Sequence, residues 1–121
     1  MIPEPEALAT AWERLAPSFG LPPRASLAAL RTAMREADHL ADDVYDVPAS
    51  MLFALGRTPR CFSGFRTMSV LAVELQTKAL GFKLEATRAE LCEMLLRVAS
   101  REVDFEAVRG WVVTKLLPFG G

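Results

Sequence analysis

The segment 57–67 concentrates the side chains that could bind an anion. It carries three arginines and a Ser-Gly step directly before a predicted helix. Guanidinium groups and the free N–H groups of a helix N-terminus both bind phosphate or carboxylate. The sequence therefore predicts an anion- or nucleotide-binding site at this point. Its residues are Arg60, Ser63, Gly64, Arg66 and Thr67.

A structural role for the same arginines is the alternative. An acidic run follows the second predicted helix, and its carboxylates could form ion pairs with the arginines. The acidic residues are Asp42, Asp43 and Asp46. The sequence alone leaves both roles open.

Cys61 lies in the same segment and is its candidate nucleophile. A reactive cysteine needs a nearby base, and His39 is the only histidine in the chain. Arginine neighbours could lower the pKa of the thiol, but we expect an ordinary unreactive cysteine. Cys92 is the second cysteine, there is no C-x-x-C pair, and a single histidine makes a zinc site unexpected. We expect His39 to lie at a solvated, acidic helix end.

Helical periodicity accounts for most of the chain and predicts an all-α fold. Six helices follow one another through short links, and we expect them to form one domain over residues 1–121. The fourth helix, about residues 65–80, is apolar on most sides and is therefore expected at the centre. Ser26, Asp46, Thr87 and Asp104 are the expected N-terminal caps. The sixth helix is expected to run to Pro118, with a frayed tail after it.

Composition limits the classes of function. The chain has 121 residues, of which 51% are hydrophobic and 24% charged, as in a globular domain with a core. A net charge of -1 disfavours a nucleic-acid partner. A mean hydropathy of +0.20 indicates an apolar patch covered by a partner or by a second copy. Neither a leader-like N-terminus nor a long apolar stretch is evident, so we expect a cytoplasmic protein without a membrane partner.

The order of these elements resembles the Fic/Doc family, and most closely its death-on-curing (Doc) branch. The resemblance covers roughly Leu8 to Trp111. The stretch 81–87, Gly-Phe-Lys-Leu-Glu-Ala-Thr, is similar to the family's link after its central helix, NGY-x-L-x-A-T. The stretch 95–111 is similar to the family's C-terminal helices. The resemblance implies a compact helical domain with its active-site motif at the start of the fourth helix.

The active-site motif of the family is degenerate in this chain. The family has H-x-F-x-D-G-N-K-R-T, in which the histidine is the base and the acidic residue holds magnesium. Here Thr58 stands at the histidine position and Phe62 at the acidic position. A threonine hydroxyl cannot accept a proton near neutral pH, and phenylalanine cannot ligate magnesium. Pro59, Arg66 and Thr67 are the positions that still fit.

We therefore expect a catalytically inactive Doc-like domain, a pseudoenzyme that needs no cofactor or metal. It would act by binding another protein, as an adaptor, an inhibitor or an assembly subunit. In the family, a helix of an antitoxin can lie in the groove beside the motif, so we expect a helix or peptide there. The predicted contact residues are Phe62, Phe65, Arg57 and Arg60. A homo-oligomer is also compatible with the apolar composition.

An enzymatic function is the alternative. A divergent transferase would use ATP with magnesium to move AMP or phosphate onto a protein hydroxyl, as the resemblance implies. Arg60, Gly64 and Arg66 would then hold the phosphates, and the base would be an unrecognised residue. A toxin–antitoxin component that has kept only antitoxin binding is the third interpretation.

Overall fold

A computed structural model describes residues 1–118 and confirms the all-α class. The described residues contain six α-helices and one pair of three-residue strands. The helices are α1 Pro5–Leu15, α2 Leu27–Leu40, α3 Val47–Gly56, α4 Phe65–Ala79, α5 Arg88–Ala99 and α6 Phe105–Lys115. The strands are β1 Phe82–Leu84 and β2 Leu116–Pro118. The tail expected to fray, residues 119–121, lies outside the described residues.

Most of the predicted caps are confirmed. Ser26 accepts a hydrogen bond from the Ala29 N–H at the start of α2. Thr87 and Glu90 form a reciprocal capping box on α5, and the Asp104 carboxylate caps α6. These hydrogen bonds pair backbone N–H groups that have no partner within the helix.

The predicted cap at Asp46 is wrong. Its carboxylate makes no capping hydrogen bond to α3. Instead it accepts hydrogen bonds from the Asp42 N–H at 3.1 Å and from Arg109 Nε at 2.8 Å. Asp46 therefore ties the link between α2 and α3 to the face of α6. The negative charge of the Asp46 carboxylate raises the pKa of Arg109 because it stabilises the charged guanidinium.

The helix at the centre of the domain is α3, so the expectation of a central α4 is wrong. All ten residues of α3 are buried, and α2, α4, α5 and α6 pack around it. On α4 one face is buried, while Leu75 and Lys78 on its other side are exposed. No helix within residues 1–118 combines the length and apolarity needed to span a membrane.

The end of α6 also differs from the prediction. The helix stops at Lys115, and residues 116–118 pair antiparallel with residues 82–84, Phe82 opposite Pro118. The expected extended link after α4 is thus one half of a small sheet. Proline has no N–H to donate to a sheet, and Pro118 is the last residue of this strand.

Gly56 ends α3 at a point where α3 and α5 lie close together. A Cβ at this position would lie 2.7 Å from Cγ1 of Val98 and 3.2 Å from the Leu95 carbonyl oxygen. Neither atom belongs to a long flexible side chain, so any larger residue would push the helices apart.

We therefore expect Gly56→Ala to lower the free energy of unfolding by about 1–3 kcal/mol through overpacking. Gly110→Ala is the matched control, because Gly110 lies in α6 and a Cβ there meets no atom within 4 Å. That substitution should raise stability by about 0.5–1 kcal/mol, since alanine favours a helix more than glycine does. Urea unfolding of both variants measures the difference. Equal effects at the two positions would contradict the close approach.

Candidate functional site

The predicted site segment is fixed to the loop that precedes α2. The Ser26 N–H donates to the Cys61 carbonyl, and the Ser63 N–H donates to the Arg24 carbonyl, both at 2.9 Å. Ala25 and Phe62 form an antiparallel bridge between these two hydrogen bonds. The segment is therefore a rigid part of the fold rather than a free loop.

Thr58, which the resemblance predicts to stand at the family's histidine position, is buried. Its hydroxyl donates a hydrogen bond to the Ala54 carbonyl at 3.0 Å, within the last turn of α3. The side chain is 4% exposed, so it contacts α3 and not a substrate groove. This position supplies no proton acceptor to solvent.

Cys61 is completely buried, and its thiol is unreactive. Burial raises the pKa of its thiol to about 11, and the nearby positive charge of Arg60 offsets only part of that rise. Cys61 lies beside Ser26 at the start of α2, whereas His39 lies at the other end of that helix. The helix rise separates the two by roughly 20 Å. The nucleophile hypothesis is therefore wrong, and both cysteines are free thiols.

Phe62 is a core residue, so its predicted contact with a partner is wrong. The ring is 3% exposed and meets Trp12 edge-on, with the ring centroids 6.2 Å apart. Phe65 is partly buried and packs against the same core. The aromatic ring at position 62 thus fills core space and offers no surface to a partner.

The Ser63-Gly64 step is used by the core. The Ser63 hydroxyl accepts a hydrogen bond from Trp12 Nε1 at 2.9 Å and donates one to the Pro22 carbonyl. A Cβ on Gly64 would lie 2.6 Å from Cζ2 of Trp12, so only glycine fits under the indole. The composition of this step is explained by Trp12 and needs no phosphate.

The three arginines of the segment point to three different places. The Arg57 guanidinium lies over the ring of Phe53, 5.5 Å from its centroid. Arg60 lines an open hollow of about 430 Å³ together with Arg24. Arg66 lines a groove of about 300 Å³ between α4 and α5. The structure does not assemble the predicted anion-binding set into one site.

Ion pairing with the acidic run does not explain these arginines. Asp46 pairs with Arg109, and Asp43 accepts a hydrogen bond from the Tyr45 N–H. Within residues 1–118, neither Arg60 nor Arg66 has a carboxylate within 4.0 Å. Both guanidinium groups are therefore available to a ligand.

An apolar groove lies between α4 and α5, next to the segment. We call it the α4–α5 groove. Its lining residues are Phe19, Arg66, Thr67, Val70, Leu71, Arg88, Ala89 and Cys92. Phe19 stacks on Trp12 and remains 46% exposed.

Sequence reasoning missed most of the groove's residues. Thr67 and Leu71 are four apart, as are Arg88 and Cys92, so each pair shares a helix face. That spacing could have indicated the two walls of the groove. It could not have shown that Phe19, from the turn after α1, lies beside them.

The described residues suggest no metal centre. Nowhere in residues 1–118 do three or more histidine, cysteine, aspartate or glutamate side chains converge as metal ligands would. His39 is exposed at the end of α2.

Comparison of the chain with protein-family models, with curated proteins and with solved structures finds no match. The resemblance to the Fic/Doc family therefore stays a prediction. The single domain over residues 1–121 and the exclusion of nucleic acid also stay predictions.

Cysteine alkylation tests the geometry of the segment. Iodoacetamide at pH 7.5 should modify the partly exposed Cys92 in the folded protein and leave Cys61 unmodified, because the buried Cys61 is a neutral thiol at that pH. In urea both should react at similar rates. Peptide mass spectrometry measures each rate. Rapid labelling of Cys61 without unfolding would contradict its burial.

Proposed function

We propose that this domain binds a helix of another protein through the α4–α5 groove and catalyses no group transfer. The observation that carries the proposal is the groove itself. It combines a half-exposed aromatic ring, aliphatic walls and an arginine without a carboxylate partner in the described chain. An apolar groove of this kind accepts the apolar face of an amphipathic helix.

The chemistry of the neighbouring segment supports binding rather than catalysis. A transferase needs a base near the accepting hydroxyl and an anchor for the magnesium on the phosphates. Thr58 is buried against α3, and Phe62 is in the core. Cys61 is neutral at physiological pH because burial raises its pKa to about 11. None of these side chains can serve as the base or the anchor.

The charges around the groove favour an acidic partner. Arg88 forms an ion pair with Glu74 at 2.9 Å, so its charge is already balanced in part. The Arg66 charge has no such partner in the part of the chain that the structure describes. A helix with a leucine or phenylalanine on its apolar face and a carboxylate beside it would match both the apolar walls of the groove and the Arg66 charge.

The resemblance to the Fic/Doc family agrees with this assignment, because its motif leads into α4, one wall of the groove. On this proposal the domain is a pseudoenzyme that works as an adaptor, an inhibitor or an assembly subunit. The free thiols of Cys61 and Cys92 favour the cytoplasm as its compartment.

A peptide selection tests the groove directly. A display library of amphipathic helices should yield binders with an apolar anchor and flanking acidic residues. We expect Phe19→Ala to weaken their binding at least about tenfold, as the loss of an interface anchor does. Arg66→Glu should also weaken binding, and a lysine in place of the peptide's acidic residue should restore it. Fluorescence polarisation measures each affinity.

Tyr45→Ala is the matched control for Phe19→Ala. Tyr45 is 53% exposed and meets one other ring, Phe82, at 5.4 Å, much as Phe19 meets Trp12 at 6.4 Å. It lies outside the groove, so its loss should leave binding unchanged. If no peptide is selected, or if both alanine variants lose affinity equally, the groove is not the binding surface.

A thermal-shift measurement separates this function from the transferase alternative. We expect no magnesium-dependent increase in the melting temperature with ATP, because no acidic residue of the segment can hold the metal. Omitting magnesium is the control. A magnesium-dependent increase that Arg66→Ala abolishes would favour the transferase and contradict the proposed loss of chemistry.

A further inference from the structure

Two arginines from separate loops line one hollow at the N-terminal end of α2. Arg24 belongs to the loop before α2, and Arg60 to the turn before α4. Both line an open hollow of about 430 Å³, which no aspartate or glutamate lines. The hollow is separate from the α4–α5 groove, and the two share no lining residue.

The backbone that carries these arginines is held rigidly. Pro22 and Pro23 precede Arg24, and Pro59 precedes Arg60, so each loop has restricted backbone angles. The Ser63 N–H donates to the Arg24 carbonyl, and the Ala25–Phe62 bridge joins the two loops. The positions of both Cα atoms are therefore fixed before any ligand binds, which reduces the entropy lost on binding.

The charges at the hollow are unbalanced. Neither Arg24 nor Arg60 forms an ion pair within residues 1–118. A guanidinium group carries five N–H donors and a positive charge. The Ser63 hydroxyl at the edge of the hollow is already bonded to Trp12 and Pro22. The donors left for a ligand thus come mainly from the two arginines.

We infer that this hollow is an anion site that binds the dianionic phosphoryl group of a phosphate monoester. Two guanidinium groups supply the two positive charges that such a group needs, and planar N–H pairs match its oxygens. The site does not depend on the proposed helix binding, because Arg66 and the groove play no part in it. Arg60 keeps the anion-binding role that its sequence context predicted, with Arg24 in place of Arg66.

An NMR titration of the full chain with methyl phosphate at pH 7.5 and constant ionic strength tests the site. We expect saturable shifts in the Nε–H signals of Arg24 and Arg60 and in the amides of residues 24–26 and 60–63. Arg24→Gln and Arg60→Gln should each weaken binding by about tenfold or more, because each removes charge-assisted hydrogen bonds. Glutamine keeps a polar side chain at these exposed positions.

Arg66→Gln is the matched control, since Arg66 is equally without an ion pair but lines the other surface. The Arg66→Gln variant should bind methyl phosphate with the same affinity as the wild type. Inorganic phosphate should shift the same signals, which would assign recognition to the phosphoryl group itself. Shifts that do not saturate, or equal weakening in all three variants, would overturn the site and indicate general attraction to positive charge. The peptide selection fails or succeeds independently of this result.

Discussion

The rest of the domain depends on the complete burial of α3, because other helices must pack against every side of it. Its ten residues are all buried, so α2, α4, α5 and α6 have to surround it. Gly56 lets α5 approach at one end, where Val98 occupies the space of a side chain. At the other end Asp46 holds α6 through Arg109. The elements that form the groove and the hollow are positioned by this covering of α3.

Trp12 has a similar effect on the segment that precedes α4. The indole of Trp12 is completely buried and meets the ring of Phe62 edge-on. It leaves room only for glycine at position 64, and its Nε1–H donates a hydrogen bond to the Ser63 hydroxyl. Phe62, Ser63 and Gly64, which belong to the stretch that resembles a catalytic motif, therefore pack against the core. The arginines, whose charges cannot be buried without partners, remain outside and define the two candidate binding surfaces.

Local features of the fold could be predicted, and features that depend on distant neighbours could not. The caps at Ser26, Thr87 and Asp104 depend on residues within one helical turn, and all three are present. The identity of the central helix depends on which neighbours cover it, and the apolar character of α4 was misleading. The β1–β2 pair and the hollow lined by Arg24 and Arg60 likewise bring together residues far apart in sequence. Periodicity within a single element carries no information about such contacts.

The burial of Thr58 limits the side chains that position 58 can accept. A histidine at this position would enter the space between the segment and the last turn of α3, where the hydroxyl now bonds the Ala54 carbonyl. A larger, ionisable ring there would lack both room and solvent. Thr58→His alone would therefore damage the core instead of supplying a base to solvent. Room for a larger side chain at position 58 would require the last turn of α3 to move or to change in sequence as well.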